Sequence, residues 1–255
     1  MNDFLLLSLL FFVPTMVVYA ARPDLRVVIG RCAIASVPFA ASERFFAGSY
    51  WSPPSLFHLI DRVGFGIEDV IFVVAIGGFM TTAYPFFFRM QFVQPAPNVR
   101  PSRGGSLLRR GVLVVGVTLG GAVGAALLGV PMLYACLAAM LAAACGMIFV
   151  RRDLALASLF GAFLSVTTYA AVCFVYAALR PGVFLRVWHT ERFLHRFLFG
   201  IPLEELLYGF ASGLVAAVFY PFVANLAYAR APRAGMLKLC PSAKVATKRS
   251  RHSSP

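Results

Sequence analysis

Charge is what this chain has least of. Asp, Glu, Lys and Arg make up 13% of its 255 residues, hydrophobic residues make up 60%, and the mean hydropathy is +0.81. That balance cannot cover a water-facing surface and excludes an ordinary soluble domain. Only three lysines occur, Lys238, Lys244 and Lys248, all near the C-terminus, so no apolar segment offers an amine for a retinal Schiff base. The five cysteines (Cys32, Cys136, Cys145, Cys173, Cys240) have no Cys-x-x-Cys spacing, and four fall in apolar runs where a thiol is a packing residue, so neither a metal nor a disulfide is expected. The four histidines, His58, His189, His195 and His252, are scattered, with a supporting role conceivable only for His195, which leads into an acidic motif. No Gly-x-Gly-x-x-Gly stands between a strand and a helix, and Gly116, Gly120 and Gly121 read as helix-packing residues. No cofactor is expected.

What is present is apolar length. A membrane span needs about 20 mainly apolar residues, and seven stretches qualify: 4–21, 27–46, 66–88, 112–130, 132–150, 154–179 and 202–229. The second is interrupted by Arg31, Glu43 and Arg44. The first carries Asp3 and no basic residue ahead of its apolar run, so it reads as a retained span and not as a signal peptide. The expected fold is an all-α membrane protein of about seven helices.

The net charge of +13 would suit nucleic acid, but its distribution follows a membrane instead. With seven spans, sixteen Lys and Arg fall on one face, in loops 21–26, 89–111 and 151–153 and the tail from Arg230; six fall on the other. The positive-inside rule then places the N-terminus outside and the C-terminus in the cytoplasm of a bacterial-type inner membrane, with no direct nucleic-acid contact. The tail to Pro255 is basic, rich in Ser, Pro and Ala, and suited to anionic lipid.

The chain also repeats itself. Arg22-Pro23-Asp24-Leu25 is echoed by Arg151-Arg152-Asp153-Leu154; Trp51 lies 17 residues before Glu68 and Trp188 16 before Glu204. Gly64-Phe65-Gly66-Ile67-Glu68-Asp69 opens one apolar run and Gly200-Ile201-Pro202-Leu203-Glu204-Glu205 another, each with Tyr-Pro-Phe (Tyr84, Tyr220) sixteen residues past its first glutamate. Two parallel three-helix repeats joined by a linker helix account for this, with boundaries at 1–88 (first repeat), 89–131 (basic loop and linker helix), 132–229 (second repeat) and 230–255 (tail). Parallel repeats commonly place a site at their interface.

Carboxyls at the edge of bilayer hydrocarbon are functional candidates by default. Glu204, Glu205, Glu68 and Asp69 are therefore the candidate acids. Glu204, Tyr208 and Ser212 share a helix face, while Glu205 points about 100° away. A protonated carboxyl can protonate an apolar substrate, and an ionised neighbour can stabilise a cation or take a proton. The alternative is structural, with the acids bridged to Arg62, Arg192 or Arg196. Trp51, Trp188, Tyr84, Tyr208 and Tyr220 are candidate substrate-binding residues, since a ring face stabilises a cation, although Trp and Tyr also gather at membrane interfaces. Phe72, at the position equivalent to Tyr208, reads as packing.

Pro202-Leu203-Glu204-Glu205 followed by Leu206, Leu207, Tyr208 and Phe210, inside a twice-repeated three-helix unit, resembles the membrane-embedded, non-flavin lycopene cyclase domain family over residues 1 to 229. The resemblance implies a cofactor-independent, acid-catalysed ring closure on an apolar carotenoid substrate in the bilayer. Protonation of a terminal trisubstituted double bond of lycopene gives a tertiary cation, an internal double bond attacks it, and a base removes a proton, with no net redox change. The first repeat departs from the family pattern, with Gly66 for proline and Asp69 for the second acid; glycine is expected to loosen the helix start and aspartate to shorten the reach. The departure sets a second reading beside the enzyme: a membrane-bound negative regulator of carotenoid genes, an anti-sigma factor that holds a cytoplasmic sigma factor through loop 89–111 and the tail.

Overall fold

The computed structural model describes residues 2–95 and 106–230. The tail that sequence assigns to anionic lipid or a sigma factor, from residue 231 on, and residues 96–105 of loop 89–111 lie outside the described residues. Seven apolar helical segments among those described are long enough to cross a membrane. In chain order the helices are α1 (Asp3–Ala21), α2 (Arg26–Ser36), α3 (Glu43–Phe46), α4 (Leu59–Val63), α5 (Ile67–Phe87), α6 (Leu107–Leu127), α7 (Met132–Val150), α8 (Ala155–Leu179), α9 (Val183–Val187) and α10 (Leu203–Ala224). Short strands β1 (Met90–Val93), β2 (Phe197–Leu198), β3 (Ile201–Pro202) and β4 (Ala227–Arg230) form two antiparallel pairs, β1 with β4 and β2 with β3. The chain is thus an all-α membrane protein with two small hairpin-sized additions.

The apolar runs become helices because in hydrocarbon every backbone N–H and C=O must be satisfied within the segment. Their ends are set by polar caps and by proline. Asn2 Oδ1 accepts the Phe4 N–H at 2.9 Å to open α1, and Ser106 Oγ accepts the Arg109 N–H at 3.3 Å to open α6. The Ser106 cap moves the start of α6 to Leu107, ahead of the expected 112. Pro85 and Pro221 of the Tyr-Pro-Phe motifs sit in the last turns of α5 and α10. Each lacks an N–H and crowds the preceding turn, so the helix stops within three residues. After α10 the chain turns through Asn225 in the left-handed conformation (φ 52°) into β4, which ends the last span at Ala224 and not at 229. β4 pairs with β1, so the residues just after Arg89 form a strand and are not free linker.

The second apolar span, Pro23–Phe46, is retained as a membrane-length segment despite the interruptions at Arg31, Glu43 and Arg44. It is broken by a 3-10 stretch at Val37–Ser42 that contains Pro38, and the break swings α3 inward, so that Glu43 is buried at 6% exposure.

Arg22 and Arg151, which the sequence sets at matching points, make matching contacts. Arg22 forks onto Asp24 (2.9 and 2.7 Å) and donates to the Pro85 and Met90 carbonyls at the end of α5. Arg151 forks onto Asp153 (2.8 and 2.7 Å) and donates to Asn225 Oδ1 and the Leu226 carbonyl at the end of α10. Each guanidinium ties the start of one helix to the finish of another.

α10 packs on α8, α7 and α5, and α5 packs on α1 and α2. The shared core runs from Phe4, Leu7 and Phe11 through Ala75, Phe79 and Met80 to Tyr169 and Tyr176. Outside it Ile34, Leu108, Leu127, Phe149 and Leu156 are largely exposed, a density of bare apolar surface that suits lipid. α5 and α10 begin at the same end of the bundle, which brings their acidic first turns together.

Candidate active site

The entry loops before α5 and α10 are clasped to one another. Trp51 and Trp188 form an antiparallel bridge, Ser52 N–H donates to the Val187 carbonyl at 3.0 Å, and His189 N–H donates to the Tyr50 carbonyl at 2.8 Å. The two indoles stand 5.2 Å apart, centroid to centroid. Beneath them lies a cavity with Glu43, Asp69 and Glu205 in its wall, beside Tyr50, Trp51, Phe72, Tyr169, Trp188 and Tyr208.

Glu205 is held by three donors. Tyr50 Oη and Trp188 Nε1 both donate to its Oε1 at 2.8 Å, and Tyr169 Oη donates to its Oε2. Tyr169 reaches it because α8 lies close on α10: a Cβ at Gly209, one turn below Glu205, would stand 2.8 Å from the Tyr169 ring. Burial, and then the Glu205 charge, push the Tyr50 phenol well above its ordinary value, so Tyr50 remains a donor throughout the physiological pH range.

The other wall carries Glu43 and Asp69. Trp51 Nε1 donates to Glu43 Oε1 at 2.7 Å and the Gly66 N–H donates to Asp69 Oδ2 at 2.6 Å; both carboxyl groups are buried and line the same cavity. The pairing of indole and acid thus differs between the halves: Trp188 holds the second acid of its own motif, whereas Trp51 holds Glu43, a residue outside either motif.

The first acids of both motifs turn away. Glu68 Oε1 accepts the Leu56 N–H at 2.6 Å and Asn2 Nδ2 at 3.1 Å; Glu204 Oε1 accepts the Leu194 N–H at 2.8 Å. Both residues are fully buried, each with its Oε2 unpartnered, and neither lines the cavity. They pin the entry loops. The face shared by Glu204, Tyr208 and Ser212 therefore does not deliver Glu204 to the cavity; Tyr208 is there, with Glu205. The expected bridging arginines do not engage the acids: among the described residues neither Glu43 nor any of the four motif acids forms an ion pair, and Arg192 donates to the Gly48 carbonyl instead.

Of the aromatic candidates, Trp51, Trp188 and Tyr208 meet at the cavity. Tyr84 and Tyr220 do not: sixteen residues of helix put them roughly 24 Å from the first acids, where Tyr84 stacks on Tyr228 and the Tyr220 hydroxyl accepts from Arg31 at 3.0 Å. His195 is exposed and contacts Thr190. Tyr50, Tyr169 and Glu43 carried no motif signal, although Tyr50 adjoins Trp51 and Glu43 is the one acid in the second span after Asp24. Phe72 packs at 5.3 Å on Phe11 and also lines the cavity.

A second, largely apolar cavity adjoins the first and shares Phe39, Val73 and Tyr208 with it. It runs toward Cys32, Thr118 and Phe219, between α2, α5, α6, α7 and α10.

Gly66 does not loosen the α5 start, contrary to what its replacement of proline suggests. Asp69 caps its N–H, and a Cβ there would lie 2.6 Å from Glu68 Oε2. Its φ of −107° also lies away from the proline value. Gly66→Pro, which restores the family pattern, is expected to cost about 1–3 kcal/mol and to lower the thermal midpoint in detergent; an unchanged or higher midpoint would count against this capping role.

Residues 131–223 match the lycopene cyclase family model. The match takes in α7, α8 and nearly all of α10, hence Glu204, Glu205, Tyr208 and the Glu205 donors Tyr169 and Trp188, and it supports a carotenoid-related function. Glu43, Glu68 and Asp69 lie outside it. No curated protein and no solved structure matches the chain.

Proposed function

We propose that this chain closes the ends of linear carotenoids into rings by acid catalysis within the membrane. The observation that carries this reading is the aromatic cavity lined by Glu205 and by Glu43 with Asp69, beside an apolar chamber that shares Phe39, Val73 and Tyr208 with it. A carotenoid end fits the first space and its polyene the second. Protonation needs an acid, and the tertiary cation needs a negative group and ring faces nearby. The cavity carboxyl groups supply the acid and the negative group, and Trp51, Trp188, Tyr169 and Tyr208 supply the ring faces. The two halves are read as repeats of one unit, supported by the matched Arg22 and Arg151 contacts. Orientation follows the charge asymmetry: N-terminus outside, C-terminus cytoplasmic, the acids near the outer face of an inner membrane.

The test uses membranes holding the full chain and preformed lycopene, incubated in deuterated water. Cyclic carotenoid is expected, with one solvent deuterium retained per ring, because the added proton comes from an exchangeable acid. Unchanged lycopene in the presence of well-inserted protein overturns the proposal.

A further inference from the structure

We infer that Glu43 is the proton donor of the cavity, sharing its proton with Asp69, while Glu205 faces them as the acceptor. The inference rests on the cyclisation reading above and adds a residue that lies outside both acidic motifs.

Glu205 is furnished as an acceptor. Two phenols and an indole N–H all donate to it, so both its oxygens serve as acceptors, an arrangement built for negative charge. The opposite wall has another balance. Glu43 and Asp69 receive one N–H each, from Trp51 and from Gly66, and both are buried in the lining of the same cavity. Two buried carboxyl groups in one cavity wall, so sparsely supplied with donors, do not both ionise, so the pair holds a proton. No ion pair reaches either one among the described residues, so no cation stands in for the proton.

Within the pair, geometry favours Glu43 as the group that reaches substrate. Asp69 has a short arm folded back onto the start of its own helix. Glu43 has a longer arm and stands just after the 3-10 break that points α3 at the cavity.

The step balances without a co-reactant. The Glu43 O–H bond breaks and a C–H bond forms at the less substituted carbon of the terminal alkene, leaving a tertiary cation. The electron pair of an internal double bond forms the new C–C bond and moves the cation into the ring. A C–H bond beside that cation then breaks to give the ring alkene, and its proton returns to a carboxylate, the deprotonated pair or Glu205. Nothing is oxidised or reduced.

Glu43→Gln is the test. Its amide oxygen still accepts from Trp51, so that contact survives while the transferable proton is lost. Cyclic product per unit of membrane-inserted protein is expected to fall at least about 100-fold, and Glu43→Asp, which keeps an acid, to recover at least about tenfold over Glu43→Gln. Asp69→Asn removes the shared proton from the other side, keeps the Gly66 cap, and is expected to show a comparable loss; it carries the test if Glu43→Gln fails to insert. Glu43→Gln within threefold of an active wild type overturns the role of Glu43 and leaves the cyclase reading standing, as does Glu43→Asp no better than Glu43→Gln with both well inserted. A wild type that forms no ring overturns the cyclase reading and this inference with it.

Discussion

Glu205→Gln is expected to remove cyclisation by at least about 100-fold, whereas Glu204→Gln is expected to keep it within about threefold. The two residues are adjacent, and their surroundings explain the contrast. A glutamine at 205 must turn its NH2 toward one of three groups that are themselves donors: Tyr50, Tyr169 or Trp188. At least one buried donor loses its acceptor, at about 1–3 kcal/mol, and the cavity loses the negative charge that faces a developing cation, a loss of the kind that costs about 10²–10³ in rate. Glutamine at 204 keeps its carbonyl oxygen on the Leu194 N–H, the one hydrogen bond that residue makes, and it stays outside the cavity. Cyclic carotenoid per inserted protein in a lycopene-producing host reads both. Loss at 204 with activity kept at 205 would reverse the assignment of cavity acid and loop anchor.

That contrast marks how far the residues alone could go. Hydropathy located all seven spans, because bilayer thickness dictates a length of apolar chain that leaves little freedom. The acidic pairs at two helix entries were also legible, since such residues are expensive in a membrane and need a purpose. Which member of each pair faces inward was not. Helical spacing aligned Glu204 with Tyr208, but the first-turn side chains are drawn aside by contacts that spacing cannot show: the Leu194 N–H takes Glu204, and the clasp of Trp51 with Trp188 sets the indole that takes Glu205. Glu43 looked like an interruption in an apolar run; only the 3-10 break turns it inward. Tyr169 is one aromatic among many in α8, distinguished by the closeness of Gly209. The Tyr-Pro-Phe repeats, strong as signals, mark where α5 and α10 stop, far from the acids. Strands β1 and β4 carry no alternating pattern long enough to read, and Ser106 fixed the start of α6 through a single capping bond.

Val73→Trp is expected to suppress cyclisation at least about tenfold without displacing the protein from the membrane. Val73 stands in α5 at the junction, in the wall of both cavities together with Phe39 and Tyr208. Its backbone carbonyl, which accepts from Ser36 Oγ at 2.8 Å, is untouched by the change. An indole there fills the passage through which a polyene must run if its end is to sit between Glu43 and Glu205 while its chain lies in the apolar chamber. Misplacing the reacting end by about 1 Å already costs about 10²-fold, and a blocked passage displaces it further. Overpacking also strains the junction by about 1–3 kcal/mol, so Ile34→Trp serves as the comparison: Ile34 is 74% exposed on the outer face of α2, and the same indole there meets lipid. The expected pattern is retained cyclisation in Ile34→Trp and accumulated lycopene in Val73→Trp, with equal protein in both membranes. Full activity in Val73→Trp would mean that the substrate chain leaves the acidic cavity by another route, and the apolar chamber would lose its assignment as the polyene site.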